Sequence, residues 1–367
     1  MRIAQVAPLY ERVPPLLYGG TERVVSYLTE ELVRMGHEVT LFASGDSITS
    51  ARLHPVARRA LRLDPDCRDS LAHHVLMLGT VYGRADEFDI IHCHTDYLGL
   101  PLARASATPT VLTLHGRLDI PELAPLYAMY TDVPLVSISA AQRTPLPDAG
   151  WVATIHHGLP AELHRFAAGP GRYLLFLGRI SPEKRPDTAI QVARRAGIPL
   201  RIAAKVDAVD REYFAHRIRP LLDHPLIDFV GEVGEAEKGA LLADALALIS
   251  PVDWPEPFGL VMIEALACGV PVIASRRGSV PEIIDHGTTG WVCTSDDEMV
   301  EAVQRLGEID RVACRAAFER RFSAATMASR YLAVYDSIVA GRRAARGRGG
   351  AAPQGRVARR DMTSWAE

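Results

Sequence analysis

Nothing in this sequence points to a disulfide framework. Its five cysteines, Cys67, Cys93, Cys268, Cys293 and Cys314, are an odd number, and no two stand at C-x-x-C spacing. That pattern suits reduced thiols and excludes the usual zinc-ribbon arrangement. Long apolar runs are missing too. The longest, Leu260 to Ala274, is interrupted by Glu264 and is too short to cross a bilayer. The opening "MRIAQVAP" lacks the extended apolar region and cleavage site of a signal peptide. These absences lead us to expect a cytoplasmic protein. A large charge of one sign is also lacking, since the formal net charge is −3. Residues 341–367 hold seven Arg against Asp361 and Glu367, so that stretch carries +5 and the rest −8. An acidic body argues against a nucleic-acid partner.

What is present fits an ordinary globular protein of more than one domain. At 367 residues the chain exceeds one average domain, and 48% hydrophobic residues supply ample core. "RIAQVAP" (2–8) reads as a buried parallel strand, followed by a loop with Gly19 and Gly20. In "TERVVSYLTEELVRMG", Val24, Val25, Leu28, Leu32 and Met35 recur at helical spacing, and Gly36 marks the stop. "HEVTLFAS" is the next strand. The same grammar returns at residue 172, where "RYLLFLGR", "ISPEKRPDTAIQVARRAG" and "IPLRIAAK" read as strand, loop plus helix, and strand. Two β-loop-α-β openings half a chain apart predict an α/β protein of two Rossmann-type domains. "DIIHCH", "TVLTLH" and "PLVSIS" are further strands of the first half; "IDFVGEV", "DALALISP" and "PVIAS" belong to the second. "RFAAGPGR" (165–172) is the expected linker. Ser323 caps a last amphipathic helix, and the basic stretch after residue 340 has no apolar period, which predicts disorder.

Ligands of such sheets bind at the carboxyl ends of strands, so those ends hold the candidate residues. Gly19 and Gly20 let backbone amides approach a ligand. His115 ends "TVLTLH". Arg179 ends a strand, and Lys184 follows at an expected helix start with Ser181 and Pro182 as cap and first residue. Two cations beside a helix N-terminus suit a phosphate or diphosphate. In "PVDWPEPFGLVMIEALACGVPVIAS", a helix is expected to start near Phe258–Gly259, with Leu260 on its first turn. Gly259 opens the helix N-terminus to an anion, with Glu256 one step before it and Glu264 further along. Carboxylates accept hydrogen bonds from paired hydroxyls, so a nucleotide-sugar fits: hexose at Glu256, diphosphate at Arg179 and Lys184, ribose at Glu264.

These motifs resemble family 4 of the retaining glycosyltransferases, which have the two-domain GT-B fold. The E-x7-E spacing of Glu256 and Glu264, with "GRISPEK", "GSVPEII" and "GTTGWV", carries the likeness, which runs from about residue 1 to 340. The resemblance implies that Glu256 contacts the donor hexose and Glu264 the ribose. It implies that Arg179 and Lys184 bind the diphosphate, that Gly19–Gly20 form the N-terminal glycine loop, and that His115 lies near the donor sugar. It further implies an acceptor-side domain over 1–167, a donor-side domain over 168–320 and a helix over 321–340 that crosses back to the first domain. Residues 341–367 form the basic tail. Three positions depart from the family. Arg185 stands where glycine usually follows the lysine. "AAKVD" (203–207) replaces a Gly-rich segment, so Lys205 adds charge at the phosphate site. Gly116 follows His115 where an acid is common.

Other signals carry less. "HCH" (92–94) puts two imidazoles on one strand face but lacks a third ligand at recognisable spacing. "DPD" (64–66) spells the D-x-D of metal-dependent glycosyltransferases within a loop-like, Arg-rich context. "GRGGAA" (347–352) spells a dinucleotide fingerprint with no strand before it. "ARLHPVARRALRLD" (51–64) reads as a solvated helix, with peripheral membrane contact as the rival reading. The expected function is metal-independent, retaining transfer of a hexose from a nucleoside diphosphate sugar, such as UDP-glucose, to an acceptor hydroxyl, with no cofactor. A sugar-nucleotide epimerase of the same fold and a non-catalytic nucleotide-sugar-binding protein stay open as alternatives.

Overall fold

The computed structural model of the chain describes residues 1–17 and 19–347. Two parallel sheets organise it. The first comprises β1 (Arg2–Val6), β2 (Glu38–Ser44), β3 (Arg52–Ala57), β4 (Ile90–Cys93), β5 (Thr110–Thr113), β6 (Leu135–Ser137) and β7 (Trp151–Thr154). Its order is β3-β2-β1-β4-β5-β6-β7. The second comprises β8 (Tyr173–Arg179), β9 (Leu200–Lys205), β10 (Ile227–Gly231), β11 (Ala245–Ser250), β12 (Val272–Ser275) and β13 (Gly290–Cys293), in the order β10-β9-β8-β11-β12-β13. Both domains are Rossmann-like, and each sheet reverses its winding once, between β1 and β4 and between β8 and β11. At such a switch point the loops leaving the strand ends diverge and open a crevice.

The central strands are nearly continuous apolar runs because helices cover both of their faces. In the register of β1, Ile3 lies opposite Val39 on one side and Ile90 on the other. Helix Gly20–Arg34 seats Val24, Val25, Leu28 and Leu32, all fully buried, on this sheet. Burial of each such side chain is worth about 1.5–3 kcal/mol.

The last helix, Ala324–Gly347, starts where Ser323 Oγ accepts from Thr326 N at 3.1 Å. It packs on the first sheet through Tyr331 and Tyr335, both buried. Tyr331 Oη lies 3.0 Å from Thr113 Oγ1, and Tyr335 Oη lies 3.2 Å from Gln5 Nε2.

Several expectations need correction. The Arg-rich stretch 51–64 is no helix: Arg52–Ala57 pairs with β2 as an edge strand, and Leu61–Leu63 makes one 3-10 turn. Pro55 is tolerated because a sheet edge has no neighbour to receive its missing N–H. Asp64 and Asp66 there pair with Arg58 at 3.7 and 3.6 Å. The basic segment is helical through Gly347, seven residues past the expected boundary, where Arg342 donates to Ser106 O at 3.2 Å. The rest of the tail, with most of "GRGGAA", falls outside the described residues. Among the described residues no helix is long and apolar enough to cross a membrane.

Candidate functional site

The carboxyl ends of β1, β4, β5, β8 and β11 face one cleft of about 930 Å³. Gly19, Gly20 and His115 line it from the first domain. Arg179, Lys184, Lys205, Glu256, Phe258, Gly259, Leu260 and Glu264 line it from the second. Residues up to 245 positions apart in sequence thus meet because they follow strand ends at the two switch points.

Two helix N-termini converge here. Helix Gly20–Arg34 starts at Gly19, and helix Leu260–Ala267 starts at Gly259 with φ +85°. The positive φ at Gly259 is what favours glycine there, since the nearest atom to an added Cβ, Met262 Cε at 2.6 Å, is the movable end of a flexible side chain. The two starts nearly touch, since a Cβ at Gly20 would meet Leu260 Cδ1 at 3.6 Å. Their orphan N–H groups favour a bound anion.

Lys184 differs from expectation in its setting. It lies on a 3-10 turn, Pro182–Lys184, and the α-helix proper is Pro186–Ala196. Ser181 precedes that turn with no side-chain cap bond. Arg185 between the two adopts the left-handed conformation, φ +51° and ψ +53°, and pairs with Asp296 at 3.0 Å. This explains why glycine suits that position: the turn into the helix demands a positive φ. Lys184 Nζ forms an ion pair with Glu256 and stands 5.1 Å from the Trp254 ring centroid. Trp254 Nε1 donates to the same carboxylate at 2.9 Å. Arg179 is more heavily compensated. It pairs with Glu183, and Asp207 and Asp210 lie 3.7 and 3.5 Å away. Lys205 pairs with Asp207 at 2.9 Å.

Glu264 is almost fully buried. Burial alone pushes its carboxyl up, yet Lys238, His164 and Arg23 hold it below the usual carboxylate range. Lys238 Nζ lies 2.5 Å from Glu264 Oε1 and 3.1 Å from Glu235 Oε1. Glu235 in turn pairs with Arg23 of the first domain at 2.5 Å, an ion pair across the cleft lining. His164, Glu235 and Glu264 could hold a cation by geometry, since their ligand atoms lie within 4.8 Å of one another. The Lys238 ammonium already supplies the positive charge there.

His115 sits two residues beyond the end of β5, not within the strand. Burial pushes its imidazole down to about 3, so it is neutral. Its Nε2 is 2.8 Å from His94 Nδ1, and its ring stacks on His157 with centroids 5.2 Å apart. The imidazoles of "HCH" are committed to hydrogen bonds: His92 to Tyr335 and Thr113, His94 to Gln5 and His115. Gly116 offers its carbonyl to Gln142 Nε2 at 2.8 Å. Sequence reasoning missed Arg23, His157, Trp254, Glu235 and Lys238, which also line the cleft. Glu22 was missed as well; burial raises its carboxyl to about 7.

Two Rossmann-like domains with helix starts and paired charges of both signs lining the cleft at their switch points have the architecture of the GT-B fold class. The second half matches the Glycosyl transferases group 1 family over residues 165–320, and the first half matches Glycosyltransferase Family 4 over residues 18–133. The chain belongs to glycosyltransferase family 4. It is 28% identical over 354 residues to a glycogen synthase of Mycobacterium tuberculosis, covering 81% of this chain and 83% of that one. Its fold is that of sucrose-phosphate synthase from Thermosynechococcus elongatus, with TM-score 0.77, 20% identity and coverage of 93% and 100%. Anabaena HepE, solved with UDP and glucose, aligns with TM-score 0.69, 18% identity and coverage of 92% and 100%.

Proposed function

We propose that this glycosyltransferase moves a hexose, with retention and without a metal, from a nucleoside diphosphate sugar to an acceptor hydroxyl. The observation that carries this reading is the placement of Lys184–Glu256, Glu264 and His115 around one cleft. UDP-glucose is the favoured donor, because HepE is solved with UDP and glucose and with UDP-glucose.

In this reading the diphosphate lies at the start of helix Leu260–Ala267, with Lys184 and Arg179 meeting its charge. The hexose lies between Glu256 and His115, and the ribose at Glu264. Glu264 Oε2 has no partner among the described residues, whereas Oε1 is taken by Lys238. A ribose hydroxyl supplies the missing donor. The bond from the anomeric carbon to the phosphate oxygen breaks as the acceptor oxygen bonds to that carbon on the same face. The acceptor's proton passes to the departing phosphate oxygen. The protein contributes position and charge stabilisation of the leaving group.

The donor's orientation is testable through its two carboxylates. Glu264→Gln should weaken binding of UDP, which has a ribose and no hexose, in calorimetry. Glu256→Gln should chiefly lower kcat with UDP-glucose, since contacts at the hexose matter most as charge develops. If Glu256→Gln weakens UDP binding more than Glu264→Gln does, the proposed orientation is reversed.

A further inference from the structure

One chain of hydrogen bonds runs from the last helix to the cleft, and nothing said so far of the reaction uses it. Gln5, on β1, is fully buried. Its Nε2 donates to Tyr335 Oη at 3.2 Å, and its Oε1 lies 2.9 Å from His94 Nε2. An amide oxygen only accepts, so His94 carries its proton on Nε2. Burial holds His94 far below its usual range, so the ring has one proton and its Nδ1 is bare. That nitrogen lies 2.8 Å from His115 Nε2, which must therefore donate. His115 is also uncharged, which leaves its Nδ1 as a lone-pair acceptor. This atom is buried and has no partner among the described residues.

The other arm runs in a matching sense. Tyr335, accepting from Gln5, can give its own proton to His92 Nδ1 at 2.6 Å, and His92 Nε2 then donates to Thr113 Oγ1 at 2.7 Å. Reversing the Gln5 amide would reverse the run on both sides. The polarity of a ring that lines the cleft is thus set two residues away.

We propose that Gln5 and His94 are positioning residues which hold His115 in the Nε2–H tautomer, so that its Nδ1 meets a hydroxyl of the donor sugar as a hydrogen-bond acceptor. The role of the hydroxyl rests on the nucleotide-sugar reading above; the tautomer does not. A donor hydroxyl arriving at Nδ1 satisfies an acceptor that is unpaired in the ligand-free chain. A hydroxyl replaced by hydrogen or by an acceptor-only group forfeits that bond, so the relay contributes to choice among sugars.

The test reads nitrogen chemical shifts in the ligand-free, full-length protein labelled with 15N-histidine, with His115 assigned by its loss in His115→Asn. The expected result is a bare Nδ1 and a protonated Nε2 at His115, and the same protonated Nε2 at His94. A protonated Nδ1 at His115 overturns the proposal whatever becomes of the donor assignment. In Gln5→Leu the acceptor for His94 is gone, so the His115 signals should move toward a mixture of tautomers. The kcat/KM with UDP-glucose should fall on the order of tenfold, the scale of one hydrogen bond. A scrambled tautomer with unchanged kcat/KM would also overturn the proposal, because polarity at His115 would then not matter. The decisive reading is on the wild-type chain, so a variant that fails to fold does not shield the idea.

Discussion

Lys184 and Arg179 look alike in the sequence and differ in the structure. Lys184 has one carboxylate partner, Glu256, and an indole face beside it. Arg179 sits among Glu183, Asp207 and Asp210. A cation already surrounded by acids offers a diphosphate less net attraction, whereas Lys184 can exchange one partner for the phosphate. Lys184→Ala should therefore lower turnover by roughly 10²–10³-fold, the scale of losing one stabilising donor. Arg179→Ala should cost less than Lys184→Ala. Steady-state kinetics with saturating donor decides; equal losses would mean that the acids around Arg179 do not discount its charge.

At the scale of elements, the turn from β8 into helix Pro186–Ala196 shows what an unusual residue costs. Arg185 holds a left-handed backbone, which disfavours a side chain by about 1–2 kcal/mol, and it gains a partly exposed pair with Asp296 worth about 0–1 kcal/mol. Arg185→Gly should thus leave unfolding free energy unchanged or raise it by up to about 2 kcal/mol, while Arg185→Val should destabilise clearly. Urea unfolding of both variants checks this; a tolerated valine would contradict the assigned backbone.

Elements of this kind also mark how far the sequence could be read. Apolar runs gave the central strands, because a strand covered on both faces needs no polar alternation. β3 was misread because its arginines suggested a solvated helix, while Pro55 at an edge does not break a strand. β7 and β13 are short and carry no long apolar run. The residues around the E-x7-E motif were legible because strand end, loop and helix start are contiguous. Lys238 and Arg23 were not: each reaches Glu264 or its partner Glu235 only through folding, and nothing local marks them. The pairing of "HCH" with Gln5 and Tyr335 is likewise a long-range product of the fold.

Considered as a whole, the molecule buries neutral imidazoles that must not charge. Burial lowers His92, His94, His115 and His157, with His115 brought to about 3. Groups with lowered values bind fewer protons folded than unfolded below about pH 6.5, so their stabilisation is lost as pH falls from there. Glu22 works oppositely. Its raised value, about 7, adds stability as pH falls through 7 toward 4.5. His37, His54, His74 and His164 are lowered by burial too, and with these the histidines outweigh the raised carboxyls of Glu22, Asp96 and Asp210. Stability should therefore fall as pH drops from 7 toward 4.5. Urea midpoints across that range measure it; a flat or rising profile would show that these rings are not buried neutral.

The central claim is transfer of a hexose from a nucleoside diphosphate sugar with its anomeric configuration kept. Its most direct test is the proton NMR spectrum of the anomeric region while the enzyme turns over UDP-glucose, with water or a simple sugar as the acceptor and a chelator present. The donor is an α-glucoside of UDP, so the first product, before any mutarotation, should show the α-anomeric proton and should form despite the chelator. A first product in the β configuration, or turnover that appears only when a divalent metal is restored, would contradict the account.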